Sequence, residues 1–376
     1  MKIAGPTLNA IAERALPLVD EVAHDAAGVL TSSMHRGSSA VSAARDGARE
    51  LRIGVFTSMS VHNDGTTHFL HDALAKRGVD ALWLDADRMA YSGATLMHNG
   101  APVGQLDAVI PRYVSRDVFP LMDAMEANGI PLVNNTTAIN TTWSKINSQI
   151  AYEAHGAPAI PTRVARTADD AAHSLSGLPH DVVVKPYDGE GGNGVEFFTN
   201  HADAHAHIQS HFAGSDIPLL VQPRVQGAMV RWTTPDGIAT SSAMDYRVLL
   251  SRNALDEPYP VAILQRVGAP GSGKSNIDAG GWGRLVQLED APQGLLDAAV
   301  QGYAPIPGSF GMGGVDIMPV GRSIDQPLEH HAARSFVITE TNSSPGIPDA
   351  RGIDFAGAVA ERAMILARRA RAAAGS

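Results

Sequence analysis

Glu340 and Asn342 stand one residue apart in FVITETNSSPGI, a stretch whose β-branched and aromatic content reads as a β-strand. Residues two apart on a strand share a face, so a carboxylate and an amide oxygen project together. Asp316, in GGVDIMPV, falls in a second short apolar strand, from which its carboxylate could close the same site. An all-oxygen set of this kind suits magnesium, with manganese as the alternative ion, and magnesium on protein carboxylates implies a nucleoside triphosphate.

The segment HDVVVKPYDGEGGNGVEFF carries the nucleotide argument further. A β-branched run ends in Lys185, a glycine-rich turn follows, and a second strand resumes at Val195, which predicts a hairpin. Gly189, Gly191, Gly192 and Gly194 leave backbone amides free to approach phosphate oxygens, with Lys185 as a point charge beside them. Because a strand and not a helix follows the glycines, neither a Rossmann nor a Walker A loop is expected here. Gly268 to Ser275, GAPGSGKS, does match the Walker A pattern. The residues after it contain Gly280, Gly281 and Gly283, each costing about 1 kcal/mol in a helix interior, so the helix that motif requires is not expected.

In chain order, Lys145, VVVKPYDGEGGNGV, LLVQPRV, DYRVLL, KSNIDAGG, GGVDI and ETNSSPG follow the sequence of motifs found in ATP-grasp ligases. From about Ile53 to Ala356 the chain resembles the RimK-like group of that superfamily, with a local likeness to glutathione synthetase over Asn276 to Gly281. The resemblance implies an α/β (α+β) ATP-grasp fold and a division into residues 1–50 (N-terminal helix and linker), 51–140 (pre-ATP-grasp α/β domain), 141–226 (small domain with the glycine-rich hairpin) and 227–376 (large domain with the metal ligands). ATP would lie between the last two. It also implies roles. Lys145, Lys185, Gly191, Gly192 and Gly194 would hold phosphates, and Gln222 and Val225 would face the adenine at the hinge after LLVQP, where Pro223 removes one N–H. Asp245 would touch ribose or pair with Arg247. Arg247 would orient the acceptor or the transferred phosphate, while Lys274 and Asn276 would point at the reacting group from a mobile loop, with Gly281 near the substrate. Arg112, at the end of the strand LDAVIPRY, is either a carboxylate clamp or a surface salt-bridge residue.

The chemistry implied is attack of a substrate carboxylate on the γ-phosphoryl group, giving an acyl phosphate that an amine then opens to an amide, with ADP and phosphate released. The amine and carboxylate are expected to belong to amino acids or small peptides. A protein or carrier-protein terminus is the alternative acceptor, and a small-molecule kinase that needs no amine is the alternative reaction. Asp278 and Ala279 depart from the RimK-type loop, which weakens transfer of any particular substrate.

Composition sets limits. The 376 residues, 44% hydrophobic, suffice for more than one core, and a formal charge of -10 argues against general nucleic-acid binding. With no cysteine, disulfides, thiolate metal sites and thioester catalysis by this chain are excluded. No apolar run approaches about 18 residues, and Glu13, Asp20 and Glu21 interrupt the N-terminal region, so a cytoplasmic protein without a membrane span is expected. Residues 1–30 have helical spacing of apolar side chains and 31–46 are rich in Ser, Ala and Gly. They read as a helix plus linker outside the resemblance, either packed on the next domain or serving as an oligomerisation arm, a substrate-recruiting helix or a lid. The His-rich run His201, His205, His207, His211 has metal-like spacing but reads as a solvated helix. Residues 322–334, with His330 and His331, read as an insertion of unassigned role.

Overall fold

The computed structural model describes residues 49–58, 65–93, 95–112, 115–188, 193–233, 239–275, 277, 280–320, 335–346 and 354–375. The expectations for residues 1–46, Gly189, Gly191, Gly192, Asn276, Asp278, Ala279 and the insertion at 322–334 lie outside them. In chain order the elements are Arg52–Thr57 (β1), Gly65–Lys76 (α1), Asp80–Asp85 (β2), Met89–Ser92 (β3), Thr95–His98 (β4), Ala101–Pro102 (β5), Ala108–Pro111 (β6), Phe119–Ala127 (α2), Thr136–Trp143 (α3), Lys145–Ala154 (α4), Arg163–Ala165 (β7), Asp170–Leu175 (α5), Val182–Pro186 (β8), Glu196–Phe198 (β9), His201–Phe212 (α6) and Leu219–Pro223 (β10). They continue as Met229–Thr233 (β11), Ala239–Arg252 (β12), Pro258–Val267 (β13), Trp282–Val286 (β14), Gln293–Tyr303 (α7), Gly313–Pro319 (β15), Phe336–Asn342 (β16) and Phe355–Ala374 (α8).

Three sheets matter for the site. The first is parallel, ordered β2-β1-β6, with a small antiparallel meander β3-β4-β5 beside it. The second is an antiparallel sheet β7-β10-β8-β9. Its β8–β9 pair is the hairpin read from the glycines. Gly194 closes the hairpin at φ +68°, and a Cβ there would come within 2.8 Å of the Pro186 ring, two reasons that only glycine fits. The third sheet, β14-β13-β12-β15-β16 with β11 on β12, is antiparallel.

Period-two alternation along β12 separates packing from chemistry. Met244, Tyr246, Val248 and Leu250 enter a core shared with Leu295, Leu296 and Tyr303 of α7. Asp245 and Arg247 therefore face the other way. On that other face, further along the strand, Leu249 packs with Ala262, with Phe355, Val359 and Ala363 of α8, and with Ile53 and Leu74 of the first sheet and its helix. The C-terminal helix thus joins the first sheet to the third. No helix among the described residues is long and apolar enough to cross a membrane.

Candidate active site

Strand β16 carries the first two candidate ligands by way of a bulge. Phe336 and Ile338 point into the core, yet the register steps from Ile317↔Ile338 to Asp316↔Glu340, so Thr339 is the extra residue. A bulge turns the following side chains over. Thr341 becomes fully buried, accepting the Tyr152 hydroxyl hydrogen at 2.7 Å and donating to the Gly302 carbonyl at 3.1 Å. Glu340 and Asn342 consequently share the face of Asp316, their direct cross-strand neighbour being Asp316 itself for Glu340.

Helix α4 brings the lysines to that face. Ser144 caps it by accepting from the Asn147 N–H at 3.2 Å, and Lys145 occupies the first helical position. The Lys145 backbone N–H donates to the Tyr187 carbonyl at 3.1 Å, just beyond the strand that carries Lys185. The Lys145 ammonium lies 3.6 Å from Glu340 Oε1. Tyr152, two turns along the same helix, is the residue that grips Thr341, so one helix fixes both Lys145 and β16. Burial of the Lys185 ammonium, and then repulsion from Lys145, lower its pKa to about 8 against the pull of Glu340. Two crowded ammonium groups beside a carboxylate form a site short of negative charge.

A buried ionic chain runs across the third sheet. Arg247 grips Asp316 with two hydrogen bonds, Nε to Oδ1 at 2.7 Å and Nη2 to Oδ2 at 2.8 Å. Arg266 reaches both Asp316, at 2.9 Å, and Asp245, with bonds of 2.7 and 2.5 Å. Burial alone would raise the pKa of Asp316, but the charges and hydrogen bonds of Arg247 and Arg266 outweigh it and hold the carboxyl at about 2. Asp245, with the single guanidinium of Arg266 against its burial, is shifted upward. The alternative in which Asp245 pairs with Arg247 is therefore corrected: its partners are Arg266 and the Ser275 hydroxyl, which donates at 2.7 Å. Arg266 escaped the sequence reading because it belongs to no local motif. Its position opposite Asp245 in the β12–β13 register is the signal that finds it.

Several expected residues are placed differently. The segment after Gly268 is no Walker A helix; it ends in strand β14. Its first half is tied to β12, since Gly271 N–H donates to Ser241 O and Ala243 N–H to Ser272 O, at 3.1 and 2.9 Å. Lys274 is exposed on the turn beyond, and Gly281 directly precedes β14. Gln222 is buried and directs its amide at Thr162 Oγ1, 2.6 Å away, which leaves any hinge contact to backbone groups near the partly exposed Val225. Arg112 is buried rather than a surface ion-pair residue: it donates to the Ser344 carbonyl at 2.8 Å and to the Ser344 hydroxyl, clasping the loop that follows Asn342. Asn134 supports the same loop through Ser343 O and Met312 O at 2.5 and 2.6 Å. The histidines of α6 lie on its surface or bond backbone carbonyls, and no cluster of three His, Cys, Asp or Glu able to hold a metal occurs among the described residues.

In solved structures this arrangement of sheets is similar to the RimK domain ATP-grasp protein of Sphaerobacter thermophilus, with TM-score 0.57 and 17% identity over 83% of this chain and 99% of that one. It is similar too to the D-alanyl-alanine synthetase A of Vibrio cholerae, with TM-score 0.59 and 15% identity over 86% of this chain and 99% of that one. The fold is the ATP-grasp fold. In sequence the chain is 28% identical, over 70% of its length and 78% of the relative's, to the probable alpha-L-glutamate ligase of Marinomonas sp. (strain MWYL1). It is 27% identical to that of Teredinibacter turnerae over 79% and 90% of the two chains. No protein-family model matches it.

Proposed function

We propose that the chain is an ATP-dependent carboxylate–amine ligase that makes an amide or peptide bond through an acyl phosphate, releasing ADP and phosphate, with amino-acid or small-peptide substrates. The observation that carries this reading is the convergence of Lys145 and Lys185, from separate elements, on the strand pair that bears Asp316, Glu340 and Asn342. Two cations meet the charge of a polyphosphate, and the oxygen donors beside them match a hard divalent ion.

The side chains fit a magnesium-bound phosphate. Asn342 Nδ2, a donor, is buried without a hydrogen-bond partner among the described residues, as expected of an amide facing an acceptor such as a phosphate oxygen, with its Oδ1 the atom that could meet a cation. Asp316 meets three guanidinium contacts on a carboxylate with roughly four lone-pair sites, so one direction remains for a cation. Bound by these residues, magnesium would neutralise phosphate charge and so favour transfer to a carboxylate.

The remaining work belongs to the chain. Lys145 and Lys185 hold the phosphates against their own repulsion, and the Gly194 turn keeps the β8–β9 hairpin narrow enough to cover them and exclude water from the acyl phosphate. The hinge at residues 222–225 takes the adenine. Arg247 and Arg266, already aligned by Asp316, present donors to the oxyanion formed when the amine attacks, a type of contact whose loss costs about 3 kcal/mol. Lys274, Asn276 and Gly281 contribute from the loop that Ser275 ties to Asp245. Arg112 shapes the carboxylate end of the substrate site by holding Ser344. ADP and phosphate release that requires both a carboxylate and an amine tests this; Glu340→Ala should abolish it, and full activity in that variant would refute the metal assignment. The likeness to glutamate ligases, together with a TM-score of 0.59 to the ligase PsnB solved with a minimal precursor, favours as second reading a protein or peptide terminus as substrate.

A further inference from the structure

A cleft of about 340 Å3 opens where the β12–β13 turn meets α8, away from the active site. Arg252 ends β12, seven residues and roughly 20 Å along the strand from Asp245 in its middle. Arg252, Arg362 and Arg369 line the cleft, and Asp256 is the one carboxylate among its lining residues. Three guanidiniums and one carboxylate leave a local charge of +2.

The arginines are held in place by the turn and do not sway on the surface. Arg252 donates through Nε to Ser309 O at 2.5 Å and through Nη1 to Asp256 O at 2.6 Å. Arg362, 1% exposed, reaches Phe310 O, Asn253 O and the Asp256 carboxylate. Arg369, about half exposed, bonds the same carboxylate at 3.0 and 3.1 Å and Ala254 O through its terminal nitrogens. Its Nε–H, and the second N–H on Nη1 of Arg252, make none of these bonds. Burial first, opposed by Asp256 and reinforced by repulsion from Arg369 and Arg252, lowers the pKa of Arg362. Glu257, the next acid in the turn, is taken up by Asn253 at 2.9 Å.

We propose that this cleft binds a small oxyanion of the phosphate class, inorganic or the terminal phosphate of a metabolite, between Arg369 and Arg252. A planar guanidinium fork suits phosphate, and a dianion matches the local charge. From the cleft a run of hydrogen bonds leads toward the active site: Arg252 holds Ser309, the adjacent Phe310 N–H donates to Asn134, and Asn134 holds the Ser343 carbonyl beside the candidate ligand Asn342.

The test is thermal melting and calorimetric titration of the full chain with sodium phosphate against sodium chloride at equal ionic strength, repeated with a phosphate monoester. Wild type should show a saturable stabilisation by phosphate; a response to the monoester but not to phosphate assigns the site to a metabolite. Because phosphate could also enter the nucleotide site, Lys185→Gln is run beside it and should retain the response. Arg369→Gln, at a half-exposed position, should lose it. Asp256→Asn should bind phosphate a few-fold more tightly, because it removes the competing charge while asparagine tolerates the left-handed φ of 65° there. A misfolded variant cannot mimic that gain. No saturable response to either ligand, a response unchanged in Arg369→Gln, or one lost in Lys185→Gln overturns the proposal.

Discussion

Lys185 shows how a single residue can be costly to the fold and necessary to the site. Its pKa falls from 10.5 to about 8, so the folded state binds the proton less tightly than the unfolded chain. The cost is present in full below pH 8 and disappears as pH rises from 8 toward 10.5. Lys185→Met should therefore raise the melting temperature at pH 7, by an amount that shrinks above pH 8, while nucleotide binding is lost; a lower melting temperature at pH 7 would contradict the account. Polyphosphate beside the ammonium pulls the pKa back up, so nucleotide binding to wild type near pH 8 to 9 should take up protons. Titrations in buffers of different ionisation enthalpy read that uptake directly, and proton release would have the wrong sign. At this scale the nearness of Lys185, Asp316, Glu340 and Asn342 could be anticipated because each sits inside a local motif. The sequence was silent on Arg266, whose partners Asp245 and Asp316 are brought to it only by strand pairing. The direction of Gln222 was equally hidden, since it depends on Thr162, just ahead of the neighbouring strand β7.

Among the elements, the β8–β9 hairpin and strand β16 do the positioning. The hairpin could be read in advance because glycines mark turns for a local steric reason. Gly194→Ala should destabilise the protein by roughly 1–2 kcal/mol, the cost of the left-handed conformation, and raise the KM for ATP more than it lowers kcat. A kcat effect alone would mean the turn does not shape the nucleotide site. The bulge at Thr339 could not be read, because FVITETN alternates well enough to pass for a regular strand. Only the fit of Thr341 against Tyr152 and Gly302 reveals that the alternation changes phase.

For the molecule as a whole, the three sheets are joined by contacts far apart in sequence. The terminal helix α8 packs on α1 and the first sheet as well as on β12 and β13, a role that its basic, alanine-rich sequence does not announce. Leu74→Ala, in that junction and fully buried, should cost about 2–5 kcal/mol in urea unfolding. Nucleotide affinity of the protein that remains folded should be unchanged, since neither Lys145 nor Lys185 belongs to that buried cluster. An affinity loss matching the stability loss would show instead that the junction sets the site's geometry. The order of motifs along the chain sufficed for the fold because each motif marks one of its strands, turns or helix starts. The identity of the substrates was not legible, since none of the motifs read from the sequence specifies a particular carboxylate or amine.

The central claim is that a carboxylate is activated as an acyl phosphate, and hydroxylamine trapping tests it most directly. The chain is incubated with ATP, magnesium, hydroxylamine and a panel of amino acids and short peptides, and hydroxamates and ADP are quantified by mass spectrometry. The account predicts a hydroxamate of one panel carboxylate formed in step with ADP and absent in Glu340→Ala; ADP formed with a stable phosphorylated product and no hydroxamate would contradict it and identify a kinase.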